Sequence, residues 1–166
     1  MISMILGQFR PIEKKPMLYG LVFGVAMFAV RLWVAIPFWN SGLTKWASFP
    51  TQLGSSAKYL FANEFQLHLP GGPYPMPFPD LMAWLSGMGE IILPIMLVAG
   101  FLSRPAALGI LAMTLVIQVT IPGGWPIHIQ WAAAGLIILA LGPGMFSTDW
   151  LARKFAFRRG HQAAII

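Results

Sequence analysis

Arg31, Glu90, Gln118 and His128 each interrupt an apolar stretch of this 166-residue sequence. Held together, four such groups could hydrogen-bond a ligand carbonyl, bind an anion or pass a proton. An arginine stays charged at any working pH, and an imidazole gains or loses a proton near neutrality. Ionisable groups at bilayer depth are expensive, so they usually face a bundle interior, pair with one another and mark function. Counted at 1.5 Å per residue from Met17 and from Arg104, Arg31 and Glu90 both lie about 21 Å deep. Gln118, counted from Pro105, and His128, counted from Pro143, fall at about 20 Å. The spacing predicts an Arg31–Glu90 pair within one polar layer that also holds Gln118 and His128. The pair reads either as glue between two helices or as part of a ligand pocket. Trp39 and Trp131 stand near that layer and could stack on a ligand, and Asn40 adds a further polar candidate.

Other chemistries find less support. His68 and His128 have no second histidine or carboxylate at metal-ligand spacing, so no metal site is expected. Serines, histidines and aspartates are scattered singly, and no catalytic set can be assembled from them. Gly87-Met88-Gly89 lacks the strand–turn–helix setting of a dinucleotide motif. Seven tryptophans mostly fall near the ends of apolar segments, where interfacial anchoring is the default. The chain has no cysteine, which removes disulfides, thiol relays, cysteine zinc sites and covalent haem attachment. No covalent cofactor is expected.

The elements that position these residues follow from composition. Hydrophobic residues make up 57% and charged residues 10%, with a mean hydropathy of +0.71. Soluble domains carry about 25% charged residues, so most of this surface must face lipid. A span needs about 20 apolar residues. Four spans and one sizeable loop fit: an all-α, four-helix transmembrane bundle in a single membrane domain over 1–166. The spans are expected at about 17–46, 80–102, 105–121 and 126–142. An outer loop and short-helix cap covers 47–79, and a tail with a basic amphipathic helix covers 143–166. Asp80 is a plausible helix N-cap, and Pro105 suits a first helical position. The prolines from Pro70 to Pro79 forbid a helix there. Tyr74, Met76 and Phe78 are expected to pack that loop onto the bundle mouth. Gly20 and Gly24 form a small-xxx-small pair suited to close helix approach.

The net charge of +6 is not spread as a nucleic-acid face. Arg10, Lys14, Lys15, Arg104, Arg153, Lys154, Arg158 and Arg159 fall on one side of the predicted spans, and Lys45 and Lys58 on the other. By the positive-inside rule both termini are cytoplasmic and the proline-rich loop is outside, as in a bacterial-type inner membrane. The partners expected are lipid and a protein subunit or second copy, not nucleic acid.

Arg31-Leu32 with Phe38-Trp39-Asn40-Ser41-Gly42-Leu43-Thr44-Lys45 resembles the Arg…Phe-x-x-x-Gly-x-x-Lys pattern of DoxX-family membrane proteins. Glu90 with Leu97 to Ala107 is similar to that family's Glu…Leu-x-x-Gly-x-x-x-Arg-x-Ala-Ala run. Gly142-Pro143-Gly144-Met145-Phe146-Ser147-Thr148-Asp149 resembles its Gly-Pro-Gly-x-x-Ser-x-Asp close. The resemblance spans about 30–149 and departs in a longer outer loop and an extra N-terminal stretch. It implies a four-helix membrane protein, with Arg31, Lys45 and Glu90 as the positions that matter. Members include the small membrane subunit of a thiosulfate:quinone oxidoreductase, so the leading expectation is a subunit anchoring or serving a quinone-linked redox complex. A non-catalytic assembly or cargo-binding factor and a small transporter remain open beside it.

Overall fold

The computed structural model describes residues 16–163, with side chains from 17 to 155. Arg10, Lys14 and Lys15 lie outside the described residues, as do the side chains of Arg158, Arg159 and His161. Four helices are long and apolar enough to cross a membrane: α1 (Pro16–Thr44), α3 (Pro79–Ala99), α4 (Ser103–Thr120) and α5 (Trp125–Leu141). Between α1 and α3 lies the cap, built from β1 (Trp46–Ser48), β2 (Gln52–Leu53), the short α2 (Ser55–Tyr59), a π-helical turn Leu60–Glu64, β3 (Gln66–Leu67) and β4 (Tyr74–Pro75). The strands pair as two antiparallel ribbons, β1 with β2 and β3 with β4. A 3-10 turn, Pro122–Gly124, joins α4 to α5, and α6 (Thr148–Ala163) closes the chain. The cap and the α4–α5 turn thus share one end of the bundle. The α3–α4 turn and α6 share the other, here called the terminal end.

Inward faces follow helical spacing. On α1 the buried positions are Gly24, Met27, Arg31, Val34, Ala35, Phe38 and Gly42, spaced mostly by three and four so that they form one stripe. The other sides of the same helices expose large apolar residues such as Leu21, Val25, Leu32 and Ile36. That exposure is stable only against lipid. The main core joins Met27, Val34 and Phe38 to Leu97, Ala106, Ile110, Ala134 and Ile138. Small residues let the backbones approach. A Cβ on Gly42 would stand 3.0 Å from the Glu90 backbone, and one on Gly135 would stand 2.9 Å from Leu111.

The cap has its own core of Leu53, Phe61 and Met76 seated on Ala83 of α3. His68 pins it to α4, its backbone N–H donating to Val119 O at 2.9 Å. Trp84 Nε1 donates to Pro50 O at 3.1 Å. Of the three loop side chains expected to pack, Met76 is buried, whereas Tyr74 and Phe78 are exposed.

Three local expectations are corrected. Asp80 is not the N-cap of α3; the helix starts at Pro79, with Phe78 in the left-handed region before it. Proline at the first helical position needs no N–H partner. Helix α4 begins at Ser103 rather than Pro105. Its N-terminus is capped from afar, the Asp149 carboxylate accepting Leu102 N–H and Ser103 N–H at 2.8 Å each. Gly24 does not offer a free helix-docking face, because Met145 and Phe146 of the same chain lie against it.

Candidate functional site

Arg31 and Glu90 do not pair. The Arg31 side chain is wholly buried at the terminal end. Its Nη1 donates to Leu97 O at 2.9 Å and Val98 O at 3.2 Å, and its Nη2 donates to Phe146 O. Gly100, with φ +67°, makes room: a Cβ there would overlap Ser147 and the guanidinium. Depth counted from Met17 failed because most of the first seven residues of α1 are exposed, and the buried stripe starts at Gly24. The helix overshoots the bundle by about two turns, so Arg31 falls level with the α3–α4 turn rather than with Glu90.

The partner of Glu90 is Lys45. Lys45 Nζ lies 2.6 Å from Glu90 Oε2, with the carboxylate side chain 4% exposed and the ammonium side chain 13%. Lys45 Nζ also donates to Ser41 Oγ at 3.0 Å, and Ser86 Oγ donates to Glu90 Oε1 at 3.1 Å. A buried charge pair holds only when its remaining hydrogen-bonding capacity is met, and the two serines do that. Reasoning from the sequence missed both. The signal was present, since Ser41–Lys45 and Ser86–Glu90 each stand four apart on one helical face.

Gln118 and His128 do meet, His128 Nδ1 lying 2.7 Å from Gln118 Oε1. Trp131 packs on His128 with ring centres 5.2 Å apart and on Phe38 at 5.1 Å. Trp39 and Asn40 are exposed on the far side of α1. Phe38 and Ser41 line the cavity described below, and the helical turn of about 100° per residue directs positions 39 and 40 away from it.

The two polar sets border one cavity of about 440 Å³. Phe38, Ser41 and Lys45 line it from α1; Phe61, Phe65 and Met76 close its cap side. Ser86 and Glu90 contribute from α3, Met113 and Thr120 from α4, and His128 and Trp131 from α5. Leu85, Ala112 and Val116 line it too and are exposed on the outer surface. The cavity therefore reaches the lipid-facing side between α3 and α4. Nearer the terminal end those helices are drawn together at glycines: a Cβ on Gly109 would stand 2.8 Å from Leu93, and one on Gly89 would stand 2.9 Å from Met113. The result is an apolar chamber with a charged pole and an imidazole in its wall, a form suited to a lipophilic molecule with a polar head.

Comparison with known proteins bears on the same region. The sequence model of the DoxX family matches residues 26–123. The match takes in Arg31, Lys45, Glu90 and Gln118 and stops short of His128. A protein of Haemophilus influenzae described as uncharacterized is 28% identical, the alignment covering 81% of this chain and 88% of that relative. No solved structure matches the chain.

Proposed function

This chain belongs to the DoxX family of membrane proteins, and on that premise we propose that it serves a quinone-linked redox complex by holding the quinone head group in the α1–α3–α4–α5 cavity. One observation carries the reading: a chamber of about 440 Å³, open toward lipid beside Ala112 and Val116, with the Lys45–Glu90 pair in its wall. An ammonium has three donors, and Glu90 and Ser41 occupy two of those on Lys45. The third is free for a carbonyl oxygen. Phe38, Met113 and Trp131 offer the flat, polarisable walls a ring needs, and an isoprenoid tail would leave through the α3–α4 opening. Electron transfer itself belongs to a partner subunit in this reading. We also propose a bacterial-type inner membrane with both termini cytoplasmic and the cap outside, supported by the bias of Lys and Arg toward the terminal end.

The test is tryptophan-fluorescence titration of the purified protein with a decyl-substituted benzoquinone. Saturable quenching is expected in wild type and in Ile137→Phe, a lipid-facing control. It should weaken at least ten-fold in Ala112→Phe, which fills the opening. Linear partitioning alike in all three proteins would sink the quinone reading and favour an assembly factor. Because the chain has no cysteine, Gly71→Cys gives a clean topology probe. Labelling only from the cytoplasmic side would reverse the proposed orientation.

A further inference from the structure

The hydrogen bonds around His128 go further than a general affinity for quinones. Gln118 Nε2 donates to Pro122 O at 3.1 Å, which leaves Oε1 as the amide atom facing His128 Nδ1 at 2.7 Å. A carbonyl oxygen only accepts, so Nδ1 must carry the hydrogen. In a neutral ring Nε2 is then a bare acceptor. No hydrogen bond within the described residues engages Nε2. Nor is it among the polar atoms sealed inside without a partner, which among the described side chains are Arg31 Nε, Trp46 Nε1 and Ser103 Oγ. Gly124 packs closely on the ring, since a Cβ there would stand 2.5 Å from Nε2; the open space that His128 borders is the cavity. Trp131 fixes the plane of the ring.

The cavity therefore offers one free donor, on Lys45, and one free acceptor, on His128. A quinone has only carbonyl acceptors at its ring oxygens; it can satisfy Lys45 but turns a lone pair toward Nε2. A quinol hydroxyl can accept or donate, so the quinol can accept from Lys45 and donate to Nε2 from the hydroxyl that faces it. We propose that this site selects the reduced, hydroxyl-bearing form of the ring, with His128 Nε2 accepting the hydroxyl hydrogen and Gln118 holding the tautomer that makes this possible. The inference rests on the quinone reading above and adds a preferred redox form and the two residues that set it.

The experiment is anaerobic calorimetric titration of the detergent-solubilised full chain at pH 8, where an imidazole is ordinarily neutral. The ligands are the decyl-substituted benzoquinone and its quinol. Wild type should bind the quinol about five-fold more tightly, the effect of one net hydrogen bond. His128→Phe keeps an aromatic ring beside Trp131 and removes the acceptor, so the two affinities should become equal. Gln118→Met frees the ring to take either tautomer and should reduce the preference to below about two-fold; it carries the test if His128→Phe does not fold. Equal affinities in wild type, or tighter quinone binding, would overturn the selection and leave the pocket standing. A preference unchanged in both variants would remove His128 from it. Absence of saturable binding by either form would overturn the quinone reading itself.

Discussion

Each end of the bundle buries a cation, and the two are used differently. At the terminal end Arg31 is wholly buried and faces backbone carbonyls of the α3 C-terminus and of the Phe146 segment. At the cap end Lys45 faces a carboxylate and a serine, with a chamber beside it. A planar guanidinium with five donors can satisfy several carbonyls at once and so close a helix end. An ammonium has fewer donors, and two of those on Lys45 are taken by Glu90 and Ser41. The contrast separates a cation enclosed among backbone carbonyls, with its Nε left unpartnered, from one that borders a chamber; only the second stands where an occupant could meet it.

The sharpest way to break this comparison is Arg31→Met. It leaves Val98 O and Phe146 O without a donor, while Leu97 O keeps Gly100 N–H, and a buried unsatisfied group costs about 1–3 kcal/mol. Folded yield, read by size exclusion in detergent, should fall to a small fraction of wild type. Arg31→Lys should recover little of it, because one ammonium cannot reproduce the fork. Recovery by lysine would mean that charge alone matters there.

The cap-end pair should respond in another pattern. Glu90→Leu or Lys45→Met alone strands a charge and should cost about 3–5 kcal/mol, whereas the double change should restore most of it. Thermal unfolding of the four proteins reads the cycle. The restored double variant should still fail to bind the quinone analogue, which separates folding from recognition. If the losses simply add, the 2.6 Å contact is not the pairing that matters.

The smallest effect is expected at Asp149, which caps α4 from the terminal tail. Asp149→Ala should lower stability by about 1 kcal/mol and leave ligand affinity unchanged. A change in affinity would show that the two ends are coupled through α4.

How much of this was legible depended on how local the deciding physics is. Four apolar spans, the proline-rich break between the first two, and the common depth of Gln118 and His128 follow from short stretches of chain and from helix rise. The family motifs already brought Arg31, Lys45 and Glu90 to notice. The inward face of each span was not legible, because lipid rewards apolar residues outside as the core does inside, and hydrophobic periodicity fades. Trp39 and Asn40 were misplaced for that reason; Trp131 on α5 does border the cavity.

Composition and punctuation alone therefore determine that this is an all-α membrane bundle with an ordered cap, since hydropathy, span length and proline act within a few turns. Which charge meets which was decided by the tertiary structure. Helix α1 starts about two turns before the bundle does, a register set by Gly24 against Met145 and Phe146 and by Gly100 against Arg31. Sliding one helix against its neighbours changes every cross-helix partner while leaving each helix's own sequence pattern intact. Only the packed bundle could give Arg31 to the backbone and Glu90 to Lys45.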